Sequence, residues 1–198
     1  MTTQTARPYH HGNLRSELLE HAERVLASRG AAALSLRELA RDIGVSHAAP
    51  RRHFADKQAL LDALAEDGFD RLGDALRAAL ARAEPAFEPR LTALASAYIR
   101  FATRHAALVE LMFAVKHRPG AAESLAAAGE RAFEGPLAVV AEAQAAGEIV
   151  PGDPESVAMV AWAAIQGLAM LSASGMIEVT DELVGDAIER LDLGLRPR

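Results

Sequence analysis

Residues 35–54 have the sequence Ser35-Leu-Arg-Glu-Leu-Ala-Arg-Asp-Ile-Gly-Val-Ser-His-Ala-Ala-Pro-Arg-Arg-His-Phe54, and their pattern predicts a helix, a glycine turn and a basic helix. Ser35 and Glu38 have the spacing of a capping box, which marks the start of a helix. Four apolar side chains then recur at helical spacing on one face: Leu36, Leu39, Ala40 and Ile43. Gly44 is the residue type expected where a helix ends in a left-handed turn.

The second predicted helix is rich in hydrogen-bond donors. Ser46 can cap its N-terminus, and basic side chains follow at positions 47, 51, 52, 53 and 57. A basic helix after a tight turn describes a helix-turn-helix, in which the second helix enters the DNA major groove. The residues that we expect to face DNA are Ser35, Arg37, Ser46, His47, Ala48, Arg51, Arg52, His53 and Lys57.

Pro50 interrupts this second helix. If Ser46 is the N-cap, Pro50 is the fourth helical residue, where it lacks an N–H and biases Ala49 away from helical angles. The helix therefore either starts late or has a distorted first turn. We expect the distorted turn, because a helix that began at Pro50 would be too short to reach base edges.

The flanking segments predict two more helices in the same unit. Asn13 can cap the first helix and Gly30 can end it, and Asp56 can cap the next one. The apolar stripe of the first helix consists of Leu14, Leu18, Ala22, Val25 and Leu26. We expect a helix-turn-helix domain over 1–58 and a larger helical domain over 59–198.

The remaining sequence predicts only helices. We expect a long helix from Asp56 to about residue 83, followed by helices over 90–104, 106–117, 121–146, 153–174 and 180–193. Since no alternating run indicates a strand, the fold class is all-α, with about nine helices. The last two helices carry more apolar surface than one lobe needs, so we expect them to form a homodimer interface. The candidate residues are Val157, Val160, Ala161, Ala164, Leu168, Leu171, Leu183, Val184, Ala187, Ile188 and Leu191.

The charge is distributed unequally along the chain. Residues 1–60 hold nine Lys and Arg against six Asp and Glu, whereas residues 61–198 hold twelve against twenty-one. An acidic lobe repels DNA, so any contact with DNA is expected to be confined to the first lobe.

The composition also limits the cellular location and the chemistry. There are no cysteines, which excludes disulfides and thiolate metal sites. Residues 1–8 lack the apolar core of a signal peptide, so we expect a cytoplasmic protein. The apolar segment 157–171 is interrupted and too short to span a bilayer, and we expect it to be a buried helix with no membrane contact.

The sequence contains no phosphate loop, nucleophile elbow or His-Glu-x-x-His motif, so we expect neither an enzyme nor a cofactor. The neighbouring His10 and His11, and the pair His47 and His53, could suggest a metal. They lack the supporting carboxylate that a convergent site needs, so we expect no metal.

Three segments of the first domain resemble the TetR family of bacterial transcriptional regulators. They are Leu36-Arg-Glu-Leu-Ala, Ile43-Gly-Val-Ser and Arg52-His-Phe-Ala-Asp-Lys. Arg51 stands where the family usually has a tyrosine that touches the DNA backbone, and a guanidinium can also bind phosphate. The resemblance implies a homodimeric regulator, most often a repressor, that binds a double-stranded DNA operator and responds to a small-molecule effector.

The second domain resembles a subgroup of this family with a Trp-x-x-x-His-Gly sequence. Trp162-Ala-Ala-Ile-Gln-Gly167 matches that pattern, except that Gln166 replaces the histidine. The resemblance implies a lobe that dimerises through its last two long helices and encloses an effector pocket.

The side chains that could line such a pocket are Tyr98, Phe101, Met112, Phe113, Trp162 and Gln166. Tyr98, Trp162 and Gln166 are the better candidates, because each has a polar group that needs a hydrogen-bond partner when buried. Plain core packing is the alternative for all six, with Gln166 bonded to a neighbouring helix. We expect Arg104, His105, Lys116 and His117 to be helix-end charges. The alternative for the whole protein is a helical interaction module whose basic helix binds protein or RNA.

Overall fold

The computed structural model describes residues 14–116 and 118–197, and the chain divides into two compact units after Leu64. The described residues contain α-helices and no strand, which confirms the all-α fold class. The helices are α1 Leu14–Arg29, α2 Leu36–Asp42, α3 Lys57–Leu80, α4 Phe87–Arg104, α5 Ala106–Lys116, α6 Glu123–Ala145, α7 Pro154–Ala173 and α8 Asp181–Leu195. Because α3 continues from one unit into the other, a domain boundary at residue 58 stays a prediction.

The ends of the first two helices agree with the local signals in the sequence. Gly30 follows α1 with a φ of 76°, and the Ser35 hydroxyl accepts a hydrogen bond from the Glu38 N–H at 3.5 Å. The predicted cap Asn13 lies outside the described residues. The core of this unit is built from apolar side chains of all its segments, among them Leu18, Ala22, Leu26, Leu39, Ala40, Phe54 and Leu60.

Gly44 ends α2 in a Schellman motif. Its φ is 76°, the Val45 N–H donates to the Ala40 carbonyl at 2.9 Å, and the Gly44 N–H donates to the Arg41 carbonyl at 3.2 Å. These two bonds satisfy carbonyls that the end of the helix leaves without partners. Because a side chain at this φ is strained, the turn depends on glycine.

The prediction of an α-helix from Ser46 onward is wrong. Residues 47–49 form turns, and Pro50–Arg52 is a single 3-10 turn, so the distortion extends beyond the first turn. The Ala49 N–H donates to the Ser46 carbonyl at 2.9 Å, which is three residues back. Pro50 has no N–H to make the α-helical bond to the same carbonyl. This difference accounts for eight α-helices among the described residues where nine were expected.

In the second unit α4 is the central helix, and it contacts α5, α6, α7 and α8. It begins at Phe87, three residues earlier than predicted, because Pro89 falls in the first turn, where its missing N–H costs nothing. Asp153 and Thr180 cap α7 and α8 through hydrogen bonds of 3.1 Å from Ser156 and 3.2 Å from Leu183.

The exposed face of α7 is apolar. Met159 and Met170 are each 63% exposed, Val160 is 58% exposed and Leu171 is 37% exposed. The helix is long and apolar enough to span a membrane by length and composition, but such a test is also passed by helices of soluble proteins. The expectation that α7 is buried is therefore wrong for a single protomer, whose core receives only Ala161, Ile165 and Ala169 from it.

Three of the residues expected at a dimer interface pack instead inside the protomer. Ala161, Val184 and Ile188 are all buried. Each projects toward the centre of the second unit because α7 and α8 both pack against α4. The apolar surface left for a partner is mainly the opposite side of α7, with Met159, Val160, Met170 and Leu171, and Met176 and Leu193 are also exposed.

Candidate nucleic-acid interface and effector site

The turn segment 46–53 presents six of the nine residues that were expected to face DNA. The exposed residues of the expected set are Arg37, Ser46, His47, Ala48, Arg51, Arg52 and His53, whereas Ser35 and Lys57 are half-buried. Six of these exposed residues lie within 46–53, and Arg37 lies on α2. We call these residues the basic turn surface.

Two buried side chains hold this segment in place. Pro50 and Phe54 are both buried, and the Phe54 N–H donates to the Pro50 carbonyl at 2.9 Å. The guanidinium of Arg15 lies 5.7 Å from the centre of the Phe54 ring, a cation–π contact. Pro50 therefore packs in the core of this unit in addition to interrupting the helical hydrogen bonds.

The arginines of the basic turn surface are available to a ligand. Among residues 14–116 and 118–197, no carboxylate pairs with Arg37, Arg51 or Arg52, whereas nearby Arg41 lies 3.2 Å from Asp42. A guanidinium without an acidic partner can form bidentate hydrogen bonds with a phosphate or with a guanine edge.

Lys57 and Ser35 each make a hydrogen bond within the protein. The bond of Ser35 was expected from the sequence, whereas that of Lys57 was not. The Lys57 ammonium donates to the Ala32 carbonyl at 2.8 Å, and the Ser35 hydroxyl caps α2. An ammonium has three donors and a hydroxyl can still donate, so neither bond prevents a phosphate contact. Their role in DNA binding stays a prediction.

Four of the predicted effector residues lie together in the second unit. The Tyr98 hydroxyl donates a hydrogen bond to Gln166 Oε1, and the ring centres of Tyr98 and Trp162 are 4.5 Å apart. The ring centre of Phe113 lies 5.7 Å from that of Trp162, and the ring centre of Phe133, on α6, lies 4.6 Å from it. We call Tyr98, Phe113, Phe133 and Trp162 the aromatic cluster.

The aromatic cluster is closely packed. Tyr98 is 2% exposed, and burial raises the pKa of its hydroxyl above the ordinary value, so the hydroxyl stays protonated and donates to Gln166. The amide of Gln166 has the partner that a ligand was expected to provide. This arrangement corresponds to the core-packing alternative. Met112 is also fully buried, with its sulfur against Gly68.

Phe101 lines a separate groove of about 660 Å³ between α3 and α4. Arg82, Arg100, Arg104 and His105 also line it, together with alanines, Pro89 and Thr92. Sequence reasoning treated Arg104 and His105 as helix-end charges and did not consider the other two arginines. A signal was present in the sequence, because no Asp or Glu occurs between Glu88 and Glu110 of an otherwise acidic domain.

A second, smaller cavity of about 300 Å³ lies between α3 and α6, and its arginines are neutralised. Arg77 pairs with Asp74 at 2.5 Å and Arg131 pairs with Asp70 at 3.0 Å. This cavity therefore presents little net positive charge.

No group of three or more His, Cys, Asp or Glu side chains lies together in the part of the chain that the structure describes. His10, His11 and His117 lie outside the described residues.

Two family models match the chain. Residues 18–64 match the sequence model of the bacterial regulatory proteins of the tetR family, and residues 91–192 match that of a tetracyclin repressor-like C-terminal domain. Among the curated proteins, none matches the chain.

Several solved structures are similar to the chain. A protein of unknown function from Rhodococcus sp. RHA1 is 49% identical, covers 97% of this chain and 100% of its own, and has a TM-score of 0.90. A TetR family transcription regulator from Marinobacter aquaeolei VT8 is 22% identical over 93% of this chain and 96% of its own, with a TM-score of 0.77. The ketosteroid transcriptional regulator of Mycobacterium tuberculosis is also 22% identical, over 93% and 95%, with a TM-score of 0.64. At 22% identity the last two share the fold.

Proposed function

The chain belongs to the TetR family of bacterial transcriptional regulators, and on that premise we propose that it is a homodimeric repressor that a small molecule releases from its operator. Members of this family are ligand-responsive, DNA-binding regulators rather than enzymes, and repression and dimerisation are typical of them. The observation that carries the proposal for this chain is the basic turn surface, whose arginines are exposed and have no acidic partner among the described residues.

We propose that residues Arg51 and Arg52 bind operator phosphates or base edges and that His47 meets a base edge. Both arginines are exposed in the 3-10 turn Pro50–Arg52, and His47 is exposed in the turn that precedes it, which supports contact of all three with DNA. Two such surfaces in a two-fold dimer would meet successive major grooves about 34–36 Å apart. The operator is therefore expected to be partly palindromic.

The exposed side of α7 supports dimerisation between copies of this chain. Gly167 lies on that side, and a Cβ added there would meet nothing within 4 Å. A glycine in the middle of a helix costs about 0.5–1 kcal/mol relative to alanine, and no neighbour within the protomer requires it. Close approach by a second α7 accounts both for the glycine and for the exposed methionines around it.

We propose that the effector binds in the second unit and favours a state with lower affinity for DNA. The finer resemblance to the Trp-x-x-x-His-Gly subgroup is also a proposal, supported by the position of Trp162 in the aromatic cluster. The packing of that cluster and the hydrogen bond to Gln166 favour a structural role for its core.

The direct test measures binding to the DNA that precedes the chain's own gene, by fluorescence anisotropy at several salt concentrations. A repressor should bind this duplex more tightly than random DNA, and affinity should fall steeply with salt. Equal affinity for both duplexes would contradict sequence-specific binding. Preference for RNA or for a protein partner would favour the interaction-module alternative. The substrates and products of proteins encoded by the neighbouring genes are then candidate effectors. The true effector should release the duplex from the chain.

A further inference from the structure

We propose that the groove between α3 and α4 is an anion-binding effector site, which takes a small molecule with an apolar body and a carboxylate or phosphate head. The inference deepens the proposed function, on which it rests for the consequence of binding. Three arginines carry it: Arg82, Arg100 and Arg104 all line the groove, and none of the residues that line it is an Asp or a Glu.

The charge of these arginines is not neutralised by the protein. Among the described residues no carboxylate lies within ion-pair distance of any of the three. Other arginines of the same unit have acidic partners, as Arg90 has in Glu142 at 2.6 Å and Arg131 has in Asp70. The unit is acidic overall, yet these three guanidinium groups have no carboxylate partner among the described residues. They therefore create a local positive potential that attracts an anion to the groove.

Two of the arginines suit one ligand head. Arg100 and Arg104 are four residues apart on α4, so they lie one above the other on the same face of the helix. Arg82 follows the end of α3, near the turn that leads into α4, and lines the other end of the groove. An anion beside α4 would receive donors from Arg100 and Arg104.

The rest of the groove suits an apolar body. Phe101 lies between the two arginines of α4 in sequence, and its ring is buried. The remaining walls are largely small apolar side chains, Ala75, Ala78, Ala79, Ala83, Ala93 and Ala97. A volume of about 660 Å³ lies within the range of small-molecule sites. The groove therefore combines a cationic rim with an apolar floor, which is the complement of an amphiphilic anion.

The test uses isothermal titration calorimetry on the full chain with three probes of equal length, dodecanoate, dodecyl phosphate and dodecanol, below their aggregation concentrations. We expect one or both anions to bind, and dodecanol to bind at least about tenfold more weakly, because the head contributes charge-assisted hydrogen bonds. The stronger of the two anions identifies the head. Equal binding of dodecanol, or no binding of either anion, would overturn the proposal.

Two variants locate the site. Arg100→Gln with Arg104→Gln removes two charges and should weaken the anions by about tenfold or more, and Ala78→Leu should weaken all probes by narrowing the groove. Arg77→Gln is the matched control, because Arg77 is on α3 but lines the other cavity and pairs with Asp74. Unchanged binding of the anions by the double variant would overturn the site. Displacement of the anion from the wild-type chain by random DNA or by an acidic peptide would also overturn it, because the arginines would then bind any polyanion.

The same samples separate the site from its proposed consequence. An anion that binds through these arginines and releases operator DNA supports both proposals. One that binds through them and leaves the DNA complex intact supports the groove and contradicts its role as the effector site.

Discussion

Replacing Met170 by Glu should separate the dimer without unfolding the protomer. Met170 is 63% exposed on the apolar side of α7, so a single protomer gives its side chain little burial. Full burial of a methionine contributes about 1.5–3 kcal/mol, and covering the exposed part would therefore contribute about 1–2 kcal/mol for each subunit. Two-fold symmetry doubles the loss to about 2–4 kcal/mol, which corresponds to a dimer dissociation constant about 30- to 900-fold higher.

This magnitude is a lower limit for the glutamate variant, because two carboxylates brought together at a two-fold interface also lose solvation and repel each other. Sedimentation velocity over a series of concentrations measures the dissociation constant, and circular dichroism reports whether the helices remain. Ala141→Glu is the matched control, since Ala141 is an exposed residue of α6 and receives the same charge. A dissociation constant within twofold of wild-type for Met170→Glu, with helix content intact, would refute the assignment of α7 as the interface.

Three further predictions concern the DNA-binding unit. Arg52→Ala should weaken binding to the DNA upstream of the gene without changing thermal stability. If Arg52 contacts a phosphate, the slope of log affinity against log salt should also fall by about one unit. An unchanged affinity would exclude the contact. His47→Ala should relax base preference at one position of each half-site by about 1–3 kcal/mol in a competition series, whereas a uniform loss over all sequences would make it a backbone contact. Ser35→Ala should lower the free energy of unfolding by about 1 kcal/mol in urea, and Ser35→Asp should preserve it, because the hydroxyl caps α2; equal midpoints for alanine and serine would contradict this.

The elements that could be predicted from sequence are those fixed by short-range chemistry. Ser35, Asp153 and Thr180 cap helices where their spacing indicates a cap, and Gly44 has the left-handed angle that its position requires. Each of these depends on a few neighbouring residues. For the same reason the all-α class followed from periodicity alone.

The segment at Pro50 could not be predicted in full, because two effects oppose each other there. Local propensity indicated a helix with one distorted turn, but burial of Pro50 and Phe54 selects the 3-10 turn that places both in the core. Tertiary packing decided the outcome, and a propensity argument does not include it.

The groove was missed because its residues are distant in sequence. Arg82 follows the end of α3 and Arg100 lies in the C-terminal part of α4, so their place on one groove depends on how the two helices are arranged. The same holds for the hydrogen bond between Tyr98 and Gln166, which joins residues from α4 and α7. The sequence shows that both side chains need hydrogen-bond partners when buried. It does not show that they are each other's partner.

The apolar side of α7 has a genetic consequence. A chain altered only at Arg51 and Arg52 keeps Met159, Val160 and Met170 unchanged, so it still pairs with wild-type chains in the same cell. With equal amounts of both, random pairing leaves roughly a quarter of the dimers with two intact DNA surfaces. Such an allele should be dominant over wild-type for derepression. The same allele with Met170→Glu added should be less dominant, because its product pairs more weakly with wild-type subunits.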